Sequence, residues 1–168
     1  MDESMFWKLI DESRGKSGGS ATNQAKVLVT KLKALRAMEI ASFNRLFYGR
    51  IHRAYRNELW AAAYIIRGGC SDDSFEYFRA WLIGQGRAVY EAALKDPETL
   101  TMVVKKTAEC EALLNAAWNA YEGKTGKELP KSAYPEGGPE LRGSEWDEEN
   151  LPKIYPKLWA KFGESPID

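Results

Sequence analysis

The stretch over residues 60–87, WAAAYIIRGGCSDDSFEYFRAWLIGQGR, most constrains the fold because it predicts two helices joined by a very short corner. The first helix is expected to end at Gly68-Gly69, and the second, rich in aromatic residues, to end at Gly84. Helices joined by so short a connection must pack against each other. The second helix is apolar on nearly all sides, which is typical of a central, buried helix.

Apolar side chains recur at helical spacing along most of the remaining chain. The predicted helices cover residues 2–14, 21–35, 38–56, 57–66, 88–94, 96–107 and 109–122, with a single bent helix through 38–66 as an alternative. Residues 124–143 contain Pro130, Pro135, Pro139 and several glycines, which predict an irregular loop or arm. A short C-terminal helix is expected over residues 147–162.

These patterns predict an all-α fold. We expect a compact bundle of about seven helices, with a Pro/Gly-rich arm before a short C-terminal helix. A chain of 168 residues is long enough to bury a core without a metal or a disulfide, and we expect a single domain over residues 1–168.

The charge of the chain is divided between its two halves although the net charge is zero. Residues 1–67 contain 12 Lys and Arg against 6 Asp and Glu, whereas residues 68–168 contain 12 against 18. The two halves could attract each other, which we favour, or the first half could present a basic surface to an anionic partner.

The first residues are acidic and no apolar run approaches the roughly 20 residues that span a bilayer. We therefore expect a cytoplasmic protein that does not enter a membrane, with Cys70 and Cys110 reduced.

His52 is the one histidine, which argues against paired-histidine metal sites and zinc fingers. It lies among arginines, and we expect a packed or solvated side chain rather than a catalytic base. Neither a phosphate-binding loop nor a dinucleotide fingerprint is present. We expect no metal and no cofactor, and we favour a non-catalytic function while leaving an enzyme open.

The polar residues of the corner can all be assigned to starting a helix. Ser71 is one candidate cap, and Asp73 with Glu76 resembles a capping box. Glu76 and Arg79 are three residues apart and are expected to pair on the exposed face. Asp72 and Asp73 could instead hold a metal or act as an acid–base pair. We expect Cys70 to be a packed thiol rather than a reactive one.

Three segments resemble a known family. They are MFWKLID at residues 5–11, NELWAAAYIIRGGCSDDSFEYFRAWLIGQGR at residues 57–87 and SEWDEENLPKIYPKLWAKF at residues 144–162. All three are similar to the bacterial domain-of-unknown-function family numbered 4240. The resemblance implies a bacterial, cytosolic protein and brings with it no established activity, cofactor or catalytic residue.

We favour a module that binds a protein partner or a second copy of itself, because aromatic residues are abundant and no catalytic set is assembled. An enzyme or small-molecule-binding domain is the alternative, with a pocket at the corner over residues 69–79. The residues expected to form that pocket are Trp60, Tyr64, Cys70, Asp72, Asp73, Tyr77, Arg79, Trp81 and Arg87.

A third hypothesis is anion or nucleic-acid binding along the helix over residues 38–56, which we consider less favoured than a protein partner. The cationic residues of this helix are Arg45, Arg50, His52, Arg53 and Arg56. Pairing of these arginines with the acidic half of the chain is the simpler explanation.

Overall fold

Ten α-helices and three short 3-10 helices make up the regular structure of residues 1–105 and 107–163, which a computed structural model describes. No strand occurs in these two ranges, so the prediction of an all-α fold is confirmed. The 3-10 helices are Pro97–Met102, Lys131–Ala133 and Glu148–Asn150. The α-helices are α1 (Glu3–Gly15), α2 (Ala21–Lys33), α3 (Ala37–Arg53), α4 (Asn57–Arg67), α5 (Asp72–Gly84), α6 (Arg87–Lys95), α7 (Glu111–Leu114), α8 (Ala116–Thr125), α9 (Leu151–Ile154) and α10 (Pro156–Phe162).

Local caps fix the start of three helices. The side chain of Asp2 accepts a hydrogen bond from the backbone of Met5 at the start of α1, at 2.8 Å. Ser20 caps α2 in the same way. At α5 the cap is Ser71, whose hydroxyl accepts from the Ser74 amide at 3.2 Å. Ser71 rather than Asp73 therefore takes the capping position at the corner.

The predicted corner forms as expected. Gly68 ends α4 in the left-handed conformation, with φ of 69°, which a residue with a side chain adopts only at a cost. The helix that follows is central, because Phe75, Phe78, Leu82 and Ile83 are all fully buried. Its partners include α1, α3, α4 and α7.

Helix α2 packs against α1 and α8, and α8 packs against α3. The end of α5 approaches α7 closely, since a Cβ atom at Gly84 would lie 2.8 Å from Leu113 Cδ1. The C-terminal α10 packs on α4 and on the 3-10 helix Pro97–Met102. These contacts surround one cluster of buried apolar side chains. The prediction of a single domain over residues 1–168 stays a prediction, and residues 164–168 lie outside the described residues.

The described chain has more helical segments than the seven or so expected, because two predicted helices are broken. The helix predicted over residues 109–122 consists of α7 and α8, which meet at Asn115. Gly123 does not end α8 as predicted; the helix continues to Thr125 and ends at Gly126, with φ of 69°. The C-terminal helix divides before Pro156, which disfavours helical backbone at Tyr155.

Helices α3 and α4 are separate, as predicted, rather than the one bent helix of the alternative, because the chain leaves the helical conformation between Arg53 and Asn57. One further boundary differs from the prediction. Of the helix predicted over residues 96–107, a 3-10 helix over Pro97–Met102 is present. Lys106 in that range lies outside the described residues.

An irregular segment follows α8, as expected, and lies across α3. We call residues 126–147 the arm. Its first anchor is Asn44 of α3, whose Nδ2 donates to the carbonyl of Ala133 at 2.9 Å, with both residues almost fully buried. Its second anchor is Arg142, whose carbonyl accepts from the Asn57 amide at 2.8 Å and whose amide donates to the Tyr55 carbonyl at 3.1 Å. The arm is thus held at both ends by backbone groups.

Candidate functional site

A groove follows α3 where the arm passes over it. Two adjacent cavities of 410 Å³ and 320 Å³ share Tyr48 of α3 and Tyr134 of the arm as lining residues. Volumes of this order are typical of binding sites in proteins. We call the two cavities together the arm groove. Its walls are formed by Tyr48 and His52 of α3, Glu76 and Arg79 of α5, Trp118 of α8 and Tyr134 of the arm.

One end of the arm groove is aromatic. The rings of Tyr48 and Tyr134 meet edge to face with centroids 5.4 Å apart. Trp118 lines the same cavity from α8 and is 37% exposed, and Tyr134 is 38% exposed. Tryptophan and tyrosine side chains of this kind offer a large apolar surface together with a hydrogen-bonding group. Asn115, where α7 meets α8, and Asn119 of α8 add amide groups beside them.

The other end contains a buried arginine. Arg79 is 4% exposed, and it donates from Nε to the carbonyl of Phe75 at 3.3 Å and from Nη1 to the carbonyl of Ile51 at 2.8 Å. Its guanidinium lies over the Tyr55 ring, 4.5 Å from the centroid. It forms no ion pair with a carboxylate in the described part of the chain. In that part of the chain Nη2 has no hydrogen-bond partner, and it remains accessible to solvent.

The buried position of Arg79 corrects the expectation that it would pair with Glu76 on the exposed face of α5. The guanidinium turns inward to carbonyl oxygens and rings, and Glu76 remains half-buried at the groove. Burial lowers the pKa of Arg79, while the Glu76 carboxylate acts in the opposite direction. Because arginine titrates far above neutral pH, the group keeps its charge. A positive charge without a contacting carboxylate therefore faces the groove.

Three further groups of the groove are available for hydrogen bonding. Burial and the nearby charge of Arg79 lower the pKa of His52, so its imidazole is neutral at pH 7. Burial, together with the Glu76 carboxylate, raises the pKa of Tyr48 to about 12 and keeps its phenol protonated. Within the described ranges, the side chains of His52, Tyr48 and Tyr134 make no hydrogen bond. The arm groove thus contains several donors and one acid.

The comparison with known families identifies the chain. A model of the family described as "Protein of unknown function (DUF4240)" matches residues 1–123. The chain belongs to the DUF4240 family. No curated protein and no solved structure matches it. The DUF4240 match includes Tyr48, Arg79 and Trp118 and ends before the arm, so Tyr134 lies outside it.

The aromatic residues predicted to form a pocket at the corner pack against one another in this DUF4240 chain. Trp60 stacks on Phe75 with centroids 4.9 Å apart, and its Nε1 donates to the carbonyl of Cys70 at 2.9 Å. Tyr64 contacts Trp146 at the end of the arm, at 5.2 Å. Trp60, Tyr64 and Cys70, all predicted to line the pocket, therefore contribute to packing around the corner.

The remaining predicted pocket residues lie on different sides of the molecule. Asp72 and Asp73 are exposed, and Asp72 accepts a hydrogen bond from the Tyr55 hydroxyl at 2.9 Å. Tyr77 lies beside Glu111, whose charge raises the pKa of the phenol. Trp81, beside the connection between α1 and α2, and Arg87, at the start of α6, line cavities separate from the arm groove. Of the predicted pocket residues, Arg79 lines the arm groove itself.

Both cysteines are free thiols, as expected. Burial raises the pKa of Cys70 to about 11, and burial also raises the pKa of Cys110. A thiol with a raised pKa contains little thiolate at neutral pH and reacts slowly. The geometry therefore agrees with a packing role for Cys70.

The five cationic residues predicted to bind an anion do not form one surface. Arg50 is 8% exposed, donates to Glu3 at 2.6 Å and lies 4.3 Å from the Phe6 ring centroid. Arg53 forms two hydrogen bonds with Glu91, at 2.7 and 2.9 Å. Both arginines already pair with carboxylates, but of the two only Arg53 pairs with the acidic half of the chain, because Glu3 lies in the first half.

The other three are separated from one another. Arg45 borders a further cavity of 290 Å³ near Met38. Arg56 precedes α4 and forms a backbone bridge with Arg142 of the arm. His52 lines the arm groove, where it meets Arg79 from the other predicted set. The arm groove thus contains His52 from the predicted anion-binding set and Arg79 from the predicted pocket.

The described ranges hold no group of three or more His, Cys, Asp and Glu residues placed to bind a metal. None of the helices described is both long enough and apolar enough to cross a bilayer.

Helical spacing over residues 109–122 groups Trp118 with Leu113, Leu114 and Tyr121 on one face. The structure exposes more than a third of Trp118 because the chain breaks at Asn115 and starts a new helix. A polar stripe could have indicated this, since Asn115 precedes Trp118 by three residues and Glu122 follows it by four. Tyr134 lies in an irregular segment, where no periodicity predicts its neighbours.

Proposed function

We propose that this protein is a protein-interaction module of the bacterial cytoplasm, and that it binds a short segment of a partner protein in the arm groove. The observation that supports the proposal is the meeting of Tyr48, Trp118 and Tyr134 from three separate elements in one open groove. Tryptophan and tyrosine are the residues that most often dominate the binding energy of protein interfaces.

The shape of this surface favours a chain segment over a compact small molecule. A further cavity lies on the opposite side of the Ala133 anchor, lined by Ala37, Met38 and Tyr121, and Met38 is 84% exposed. Apolar surface therefore continues along α3 beyond the arm groove. A peptide in an extended or helical form can follow such a surface, with separate side chains in separate cavities.

Selection from a random-peptide display library tests the proposal. Peptides enriched on the immobilised protein are synthesised and titrated by fluorescence anisotropy. We expect micromolar binding to the native protein and a loss of about thirtyfold in the Trp118→Ala variant, because truncating an interface tryptophan of this kind costs about 2 kcal/mol. The Tyr134→Ala variant should also bind more weakly.

The control for this experiment is Ile154→Ala. Ile154 is 48% exposed on α9 and does not line the arm groove. Its variant should bind the selected peptides as tightly as the native protein does. If the peptides bind the Trp118→Ala variant equally well, or if no peptide is enriched, the proposal is wrong.

Self-association through the same surface would make a second copy of the chain the partner. Sedimentation velocity distinguishes this case, because a native dimer that becomes a monomer on Trp118→Ala substitution would place the arm groove in the dimer interface.

A further inference from the structure

We propose that the Arg79 end of the arm groove is a carboxylate subsite, which accepts an Asp or Glu side chain of the bound segment. The inference rests on the proposed function in naming a protein segment as the source of the carboxylate. Arg79 lies nearly buried beside the cavity, and no carboxylate of the described chain contacts it.

Glu76 and Asp72 act on the Arg79 charge without contacting it, so a carboxylate that does contact the buried guanidinium would stabilise it further. Two of the guanidinium nitrogens of Arg79 are engaged with carbonyl oxygens, which fixes the orientation of the group. The third, Nη2, is left for a ligand. The site is therefore already arranged before the partner segment binds, and little conformational entropy is lost on binding.

The neighbouring groups suit a carboxylate as well. The hydroxyl groups of Tyr48 and Tyr134 and the neutral imidazole of His52 can each donate a hydrogen bond and have no partner in the described ranges. A singly charged carboxylate can accept from several of these donors at once. The donors lie next to the aromatic end of the groove, so an acidic side chain would be recognised beside an apolar one.

Glu76 places a negative charge beside the subsite, and that charge repels a carboxylate ligand. It lines the same cavity, and its carboxylate influences both Arg79 and Tyr48. A like charge near the ligand weakens binding, and it weakens binding of a doubly charged anion more than that of a carboxylate. The subsite should therefore prefer a carboxylate to a phosphate, and removal of the Glu76 charge should strengthen binding.

The test uses two probes of nearly equal shape, N-acetyl-L-glutamic acid α-amide and N-acetyl-L-glutamine α-amide, titrated into the native protein. Binding is followed by NMR through the Arg79 Nε–H and His52 ring signals. We expect millimolar binding of the glutamate probe and no saturable shift with the glutamine probe. The Glu76→Gln variant should bind the glutamate probe about threefold more tightly, because a partly solvated like charge has been removed.

Glu149→Gln is the matched control, since Glu149 is an exposed acid far along the chain and its loss changes the net charge equally. It should bind the glutamate probe as the native protein does. Equal shifts with both probes, unchanged or weaker binding in Glu76→Gln, or tighter binding of inorganic phosphate than of the glutamate probe would each overturn the subsite. A merely structural role for Arg79 would not produce tighter binding in Glu76→Gln.

The two proposals fail in different experiments. If the glutamate probe binds as expected but selected peptides ignore Trp118, the carboxylate subsite stands and the peptide-binding function is wrong. If selected peptides require Trp118 but the glutamate probe does not bind Arg79, the function stands and the subsite is wrong.

Discussion

Arg50 and Arg79 are both nearly buried arginines on helices, yet the chain accommodates them in different ways. Arg50 reaches a carboxylate, Glu3, and stacks on apolar rings, whereas Arg79 relies on carbonyl oxygens and rings. The sequence could not distinguish them, because the predicted partner of Arg79, Glu76, is placed at ideal helical spacing. Burial of α5 on nearly all sides decides the outcome, and that depends on packing between distant parts of the chain.

A glycine at the second anchor of the arm provides a residue-scale prediction. Gly143 has φ of 90°, and a Cβ atom there would overlap the Glu58 carboxylate, lying 2.6 Å from Glu58 Cδ. The Gly143→Ala variant should lose about 2 kcal/mol of unfolding free energy, because backbone strain adds to the displacement of the Glu58 carboxylate from the Ser144 amide. Urea unfolding followed by tryptophan fluorescence measures the loss.

Gly137→Ala is the control for this substitution. Gly137 also has a positive φ, 78°, but nothing lies near the position of its Cβ atom. Its variant should lose only about 1 kcal/mol, from backbone strain alone. Equal losses in the two variants would show that contact with Glu58 contributes nothing.

Helices α1, α2 and α5 begin where the sequence indicates, because each of them has its own cap a few residues away. Helix α10 begins at Pro156 without a side-chain cap of its own. Glu98 provides one instead, accepting from the amides of Lys157 at 3.2 Å and Leu158 at 2.9 Å. A cap supplied from about sixty residues away has no local signal, so this contact could not be predicted from the sequence.

The capping role of Glu98 is testable at the level of the element. In the Glu98→Ala variant two amides of α10 lose their acceptor, and the protein should lose about 1 kcal/mol of unfolding free energy. Hydrogen exchange of the Lys157 and Leu158 amides should show the start of α10 loosening before global unfolding. Glu149→Ala is the control and should leave both measurements unchanged, since the side chain of Glu149 is exposed. Loss of stability in both variants would indicate a general charge effect.

At the scale of the molecule, two of the ion pairs in the described chain follow the division of charge along the sequence. Ion pairs join Arg53 to Glu91 and Arg67 to Glu109, each linking the basic first half to the acidic second half. The all-α class and the central corner were predictable, because both depend on local periodicity and turn residues. The arm groove was not, since four elements far apart in sequence form its walls.

The buried tyrosines predict how the whole molecule responds to alkaline pH. Burial raises the pKa of Tyr48 and Tyr155 to about 12, from 10.0, and raises that of Tyr90 as well. Between these values the unfolded chain has lost protons that the folded chain retains, so stability present below pH 10 is lost as pH rises toward 12. The urea midpoint should fall steadily over this range.

The Tyr90→Phe variant tests the origin of this loss. Tyr90 is fully buried and donates to the carbonyl of Arg50 at 2.8 Å. Its variant should be less stable at pH 8 by about 1 kcal/mol but should lose less stability between pH 10 and pH 12. A pH dependence as steep as that of the native protein would assign the alkaline loss to other groups.

The two anchors of the arm separate the residues that fasten it from the residues that line the arm groove. Asn44 and Asn57 hold backbone groups of the arm, at Ala133 and Arg142, so the contacts that fasten it depend little on the side chains between them. Residues 134–141 can therefore be exchanged as a cassette that alters one wall of the arm groove while α3, α5 and α8 keep the other. If the proposed function holds, these eight positions together determine which partner segment the arm groove accepts, independently of the helices that carry the core.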